Sequence, residues 1–435
     1  MSIQASGLDY VEESERASAV IDDIPAGVSA RTVASVAVIG AGTMGSGIAM
    51  SVASAGLPVV LVEQSDDALE RGMAGIRGTF ARAVEKGRLA ESAMRARLAL
   101  IQPTTDLTRA AAVDLLIEAV FETIGAKESV FLLMDAIARP GAILASNTSS
   151  LNLDRIASFT GREADVVGLH FFSPAQVMRL VEIVRGAATA PDVLVTAMAF
   201  AKRIGKIGVI AGVCDGFIGN RMFERFMRQA YALLQEGALP WQVDQALEAW
   251  GMAMGPFAVM DLAGNDVGYA VRKSRAAGAS AATVFAIPDR IAEMGRYGQK
   301  TGAGYYRYDP VTRRRSADPE VERLILDYVR ETGRARREID DAEIVARCVL
   351  ALVNEGARLL GEGIAQRASD IDVIYRNGYG FPASRGGPMY HADELGLPMV
   401  MAAIDRFRRD DAAGAWEPAP LLLERLADGR RLLEI

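Results

Sequence analysis

Through the first half of the chain, short apolar runs alternate with longer segments of helical period. From Val36 the pattern becomes β-α-β, with AVIG as a strand and MGSGIAMSVASAG as a helix ended by Gly56. LPVVLVE (57–63) then supplies a second strand. Residues 66–97 carry apolar positions at helical spacing and predict a helical hairpin inserted before the strands resume. DLLIEAV (114–120), AILASN (142–147) and DVVGLHF (165–171) follow, separated by helix-like segments such as AKESVFLLMDAIARP. Strands alternating with helices of that length predict a mostly parallel sheet, with VEIV and IGVIA (207–211) as edge strands. Residues 1–32 are polar and mixed, a leader with one weak helical stretch.

After CDGFIGNR (214–221) the strand pattern stops and helical period takes over, as in RMFERFMRQAYALLQEG and WQVDQALEAWG. The proline- and charge-rich stretch 308–320 reads as a linker, with Arg313 to Arg315 on its solvated face. Beyond it the pattern repeats. VDQALEAWGMAMGPFAVMDLAG (243–264) aligns with IDVIYRNGYGFPASRGGPMYHADELG (371–396) once four residues are inserted. In both copies an EG pair precedes a V/I-D dipeptide, and a G-P pair and an aspartate follow. The expected architecture is a doubly wound, Rossmann-type α/β domain over 33–213, then two similar all-α domains over 214–310 and 317–435. Two copies of one module can bury their apolar faces on each other. A monomer is therefore expected to be feasible, with a homodimer left open.

Composition narrows the classes. The net charge of −7 argues against nucleic acid as a partner. No apolar run approaches the ~20 residues of a bilayer span, and the polar, acidic start is unlike a secretory signal. Cys214 and Cys348 are too few for a disulfide framework and lack metal-ligand spacing, so no metal is expected. The expected location is the cytoplasm. His170 and His391 are the two histidines, which confines any imidazole chemistry to a pair of candidates.

Within VAVIGAGTMGSGIAM, the residues Gly40, Ala41, Gly42, Thr43, Met44 and Gly45 have dinucleotide-loop spacing. The first glycine permits the tight turn, the second admits a pyrophosphate against backbone, and the third lets helix pack on strand. The helix N-terminus offers free N–H groups to the anion. Glu63 ends the next strand, where a carboxylate would accept bonds from the adenosine ribose. Its charge would repel a 2′-phosphate, and Gln64-Ser65-Asp66 supplies no arginine, which favours NAD over NADP. Downstream, His170 ends a strand and Glu182 lies twelve residues on within VEIV. Two strands joined by a turn would bring them together as a base and its orienting carboxylate. Spacing alone leaves a purely structural hydrogen bond equally open.

GAGTMGSGIA, NTSSL, GLHFFSPAQVMRLVEIV, GFIGNR and GQKTGAGYY together resemble the NAD-dependent L-3-hydroxyacyl-CoA dehydrogenases of fatty-acid β-oxidation. The similarity runs in order from about Val36 to the C-terminus. GYGFPASRGGPMYHADELG further resembles the second helical repeat of multifunctional β-oxidation enzymes. The leader resembles the tail of the linker that follows their enoyl-CoA hydratase half, and no hydratase activity is expected. The resemblance implies an acyl-CoA thioester as substrate and NAD as cofactor. It implies His170 as general base, Glu182 as its orienting carboxylate, Ser149 as a hydroxyl contacting substrate and cofactor, and Asn220 as a substrate-binding amide. It places Glu122, Lys127, Ser173 and Lys300 at the cofactor, with Lys127 also in reach of a CoA phosphate. Two positions depart from the pattern. Many relatives have aspartate where Glu63 stands, and asparagine where Ser173 stands. His391 has no catalytic counterpart and is expected to pack between loops or repeats. Another 3-hydroxy acid or sugar-acid dehydrogenase, or a non-catalytic NAD-binding protein, is the alternative reading.

Overall fold

The structure is a computed structural model that describes residues 3–25, 27–276, 283–409 and 416–434. The chain divides into two compact units, Met1–Asn220 with Leu359–Tyr379, and Arg221–Arg358 with Gly380–Ile435.

The first unit begins with α1 (Ile3–Ala17), then runs β1 (Val36–Ile39), α2 (Thr43–Ser54), β2 (Val59–Val62), α3 (Asp66–Glu85), α4 (Glu91–Ala99) and β3 (Ile101–Thr104). It continues with β4 (Leu115–Glu118), α5 (Ile124–Ile137), β5 (Ile143–Ser146), α6 (Leu153–Ala157), β6 (Val166–Phe171), β7 (Leu180–Arg185), α7 (Pro191–Arg203) and β8 (Ile207–Gly212). The strands form one sheet in the order β3-β2-β1-β4-β5-β6-β7-β8. The chain reverses its direction of travel between β1 and β4, which opens a ligand crevice at the carboxyl ends of those strands. Val36, Ala37 and Val38 have no exposed surface, as expected for a parallel strand covered on both faces. All pairs are parallel except β6 with β7. Of the two runs expected at the edge, β8 is an edge strand, whereas β7 lies inside the sheet between β6 and β8.

The later elements are α8 (Gly219–Gln235), α9 (Pro240–Trp250), α10 (Pro256–Ala263), α11 (Asn265–Ala276) and α12 (Ala286–Glu293). A small hairpin, β9 (Arg307–Tyr308) and β10 (Arg315–Ser316), occupies the stretch read as linker, and Arg315 pairs there with Glu248. Next come α13 (Pro319–Glu331), α14 (Asp341–Gly361), α15 (Ala368–Gly378), α16 (Pro388–Leu395), α17 (Leu397–Arg409) and α18 (Pro420–Ala427). Helix α15, which belongs to the second sequence repeat, lies in the first unit against β7, β8 and α1. Tyr10 of α1 donates to Asp372 of α15 at 2.6 Å.

Aspartates shared by the two repeats are staples rather than reactive groups. In the second unit, Asp244 accepts from the Phe257 and Ala258 amides at the start of α10 and from the Tyr306 hydroxyl. Burial pushes its carboxyl up to about 6. Asp261 accepts from the consecutive amides of Tyr305 and Tyr306, far downstream. Asp393, its counterpart in the second repeat, accepts in the same way from Leu432 and Leu433. One carboxylate thus fixes the return of the chain in each copy. His391 sits on α16 with its ring 5.2 Å from that of Trp250, and burial lowers its pKa to about 4.

Replacing Asp261 by alanine would strand the two tyrosine amides in a buried loop. A loss of about 1–3 kcal/mol for each unpaired amide is expected. A thermal melt coincident with that of wild type would contradict this role.

Candidate active site

β1 runs into the glycine loop and α2 at the crevice. Gly40 has φ +106°, and a Cβ there would lie 2.5 Å from the Ala119 carbonyl oxygen. A Cβ at Gly45 would lie 1.8 Å from the Gly40 carbonyl oxygen, so α2 can approach β1 through glycine alone. Beside Gly42, by contrast, space is open out to 4 Å, and Gly42 and Thr43 are exposed. Ala41 is buried and Met44 half-buried behind them. A cavity of about 380 Å³ adjoins this loop, lined by Gly42, Thr43, Ser46, Glu63 and Arg71 among others. An open glycine face, a helix N-terminus and a carboxylate on one cavity are what the adenosine and pyrophosphate of a dinucleotide require.

Glu63 makes a specific use of its extra methylene. One carboxylate oxygen accepts from the Ala41 amide inside the glycine loop at 2.8 Å, the other from Gln64 at 2.7 Å. Each oxygen retains acceptor capacity for a ribose hydroxyl. Arg71, one turn along α3, lines the same cavity and is exposed. The three residues after Glu63 supply no cation, but the helical period of α3 returns position 71 to the face of Ala68, on the same cavity.

The second part of the site is an ionic cluster at the ends of β4 and β5. Glu118 and Ser146 are register partners, both completely buried. One oxygen of Glu118 accepts from the Ser146 hydroxyl, the other from the Val120 amide and the Lys127 ammonium, each at 2.7 Å. Lys127 was expected to face the cofactor or a CoA phosphate. Its side chain is instead 1% exposed and lies between Glu118 and, at 3.1 Å, Glu122, because an isolated buried ammonium would be too costly to desolvate. Glu122 holds the NTSSL turn, accepting from the Thr148 hydroxyl, the Ser149 amide, the Ser149 hydroxyl and the Ser150 amide. Burial alone would raise the Glu122 carboxyl. Lys127, with the Thr148 and Ser149 bonds, holds it below its ordinary value of 4.5. Asn147 completes the turn by accepting from the Phe171 amide at the end of β6.

The third part is the histidine. His170 and Glu182 are direct register partners across the antiparallel β6–β7 pair, which puts both side chains on one face of the sheet. His170 Nδ1 lies 2.6 Å from one Glu182 oxygen, and both groups are buried. The second Glu182 oxygen accepts from the Ile218 and Gly219 amides at the start of α8. With an acceptor oxygen opposite it, Nδ1 is the nitrogen that carries the N–H. Nε2 is then left as the proton acceptor. Phe172 and Phe217 flank the imidazole, at 4.6 and 5.8 Å between ring centroids. Asn220, two residues into the same N-terminus, donates from Nδ2 to the Ser149 carbonyl at 3.4 Å. His170, Glu182, Ser149 and Asn220 thus converge, although they span more than seventy residues. Ser173 is exposed in the loop after β6. Lys300 belongs to the second unit, where its ammonium donates to Asp266 at 2.6 Å.

Two family models match the chain. The model of the 3-hydroxyacyl-CoA dehydrogenase NAD binding domain matches residues 35–214. That of the 3-hydroxyacyl-CoA dehydrogenase C-terminal domain matches over 216–308 and 344–433. The peroxisomal bifunctional enzyme of Danio rerio is 42% identical over 415 residues, covering 92% of this chain. The chain spans 57% of that relative's length. Among solved structures, the 3-hydroxybutyryl-CoA dehydrogenase of Escherichia coli superposes with a TM-score of 0.77 at 28% identity, over 92% of this chain and all of its own. The dehydrogenase part of multifunctional enzyme 1 from C. elegans superposes with a TM-score of 0.71 at 30% identity, over 96% of each chain. The curated relatives from zebrafish, human and Arabidopsis thaliana carry peroxisomal names, which overturns the expectation of a cytoplasmic protein. Import into an organelle is read by receptors from short addresses, which bulk composition does not report. No helix among the described residues is long and apolar enough to cross a membrane.

The Glu122 clamp carries a pH signature. Its folded pKa lies below that of an unfolded glutamate, so its contribution is present above pH 4.5 and is lost as pH falls through the lower folded value. The stability advantage of wild type over Glu122→Gln should therefore shrink in acid denaturation below pH 4.5. An advantage independent of pH would contradict the ionised clamp.

Proposed function

Because the chain belongs to the 3-hydroxyacyl-CoA dehydrogenase family, we propose that it oxidises (S)-3-hydroxyacyl-CoA to 3-ketoacyl-CoA with NAD, reversibly. The observation that carries this reading is the buried His170–Glu182 pair beside Ser149 and Asn220, at the end of the sheet where the glycine loop lies. Bound NAD would supply the hydride acceptor for the substrate's C3. The residues of the chain manage everything else.

Nε2 of His170 removes the proton of the 3-hydroxyl, and Glu182 stabilises the imidazolium as it forms. In the reverse direction the same imidazolium returns a proton to the ketone oxygen. Ser149 and Asn220 hold the substrate oxygens, the hydroxyl from a turn fixed by Glu122 and the amide from a helix start fixed by Glu182. Glu118 and Lys127 act one step back by holding Glu122 in place. The open face of Gly42 and the amides of α2 receive the pyrophosphate, and Glu63 receives the adenosine ribose. Glu63 decides for NAD, while Arg71 moderates the penalty against a 2′-phosphate. The duplicated module supports a monomeric enzyme, which light scattering would check.

His170→Ala should lower the rate of NADH formation about 10²–10⁴-fold with acyl-CoA binding retained. Near-normal turnover would remove the assignment. Assays of acyl-CoA esters beside the free 3-hydroxy acids should show activity with the thioesters, and preference for the free acids would favour another dehydrogenase. In cofactor titrations Glu63→Ala is expected to weaken NAD about tenfold or more, narrowing its preference over NADP. Unchanged affinity for both would show that Glu63 serves only the loop.

A further inference from the structure

Helix α15 delivers two tyrosines to the start of α8. Tyr375 and Tyr379 lie one turn apart with stacked rings, 4.9 Å between centroids and 20° between planes. The Tyr375 hydroxyl donates to the Gly219 carbonyl at 3.2 Å, and the Tyr379 hydroxyl donates to Asn220 Oδ1 at 2.7 Å. The contact is close enough to dictate sequence, since a Cβ at Gly219 would lie 2.6 Å from the Tyr379 ring. On its other side Tyr379 meets Phe172 edge to face at 5.6 Å, and Phe172 packs on the His170 imidazole. Aromatic packing therefore runs from the second helical repeat to the catalytic histidine.

The two ends of an asparagine amide are nearly equal in size but opposite in hydrogen-bonding sense. Which end faces Ser149 decides whether Asn220 offers the site a donor or an acceptor. The Ser149 carbonyl only accepts and so takes the Nδ2 end, and the Tyr379 hydroxyl, donating to Oδ1, holds the amide in that orientation. Burial holds the Tyr379 phenol well above its ordinary value of 10.0, so it remains a donor throughout the working range of pH. Tyr379 lies 159 residues from Asn220, in a segment that a single-module chain does not contain.

We propose that Tyr379 is a positioning residue for the dehydrogenase reaction, its hydroxyl fixing the Asn220 amide so that Nδ2 is presented to the substrate. The second repeat thereby completes the active site as well as duplicating a module. This rests on the reading of Asn220 as a substrate-binding amide.

The test is a double-mutant cycle on the full chain with Tyr379→Phe, which keeps the ring, and Asn220→Ala. Tyr379→Phe is expected to raise the KM for 3-hydroxyacyl-CoA about 3–10-fold, with kcat, the NAD dissociation constant and the melting temperature close to wild type. In the Asn220→Ala background the same change should have no further effect on KM. A wild-type KM in Tyr379→Phe beside an impaired Asn220→Ala overturns the proposal and leaves the role of Asn220 standing. So does a loss that persists undiminished in the Asn220→Ala background, or one confined to thermal stability. A silent Asn220→Ala removes the reading beneath the proposal, and the proposal with it.

Discussion

The site depends on one buried carboxylate. Glu182 has no exposed surface, and an ion in that position is tolerable only if its acceptors are filled. The fold fills them from two directions, with the His170 imidazole across the strand pair and the Ile218 and Gly219 amides at the start of α8. The antiparallel turn of β7 against β6 is what makes the first contact possible. In the parallel strands around it, a partner twelve residues away could not be reached, because a parallel return needs a long crossover. The helix start supplies the second contact and carries Asn220 with it. His170, Glu182 and Asn220 therefore share a single structural decision.

A second buried ionic group works by the same logic. Glu118, Lys127 and Glu122 would each be expensive alone, yet together they link the ends of β4 and β5 to the turn that holds Ser149. Ser149 and Glu122 are thus held from behind by Glu118 and Lys127. Such clusters add little net stability over an apolar core. What they provide is a fixed geometry at the crevice, where a displacement of an ångström would be costly to the reaction.

Much of this was legible in the sequence because it is local or periodic. The strand–glycine-loop–helix unit, Glu63 at the next strand end and the twelve-residue His170–Glu182 hairpin each follow from spacing within one supersecondary element. The helical duplication was visible in paired motifs, and Asp261 and Asp393 turn out to do matching work. Long-range placement was not legible. Nothing near Tyr379 announces that its hydroxyl meets Asn220, since the contact depends on α15 packing against β7 and β8. The burial of Lys127 was not legible for a related reason: its environment is set by Glu118, on another element. The signal was available, because a glutamate closing the apolar run LLIE of a buried strand must find a cation or amides.

The central claim is that Glu182 turns His170 into the base that takes the substrate proton. The most direct measurement is the pH profile of kcat/KM for 3-hydroxyacyl-CoA oxidation in wild type and in Glu182→Gln, with NADH formation as the readout. Loss of the carboxylate should lower the plateau by at least about tenfold, because the imidazolium that forms loses its counter-ion. Superimposable profiles would contradict the account, leaving the pair as a structural hydrogen bond.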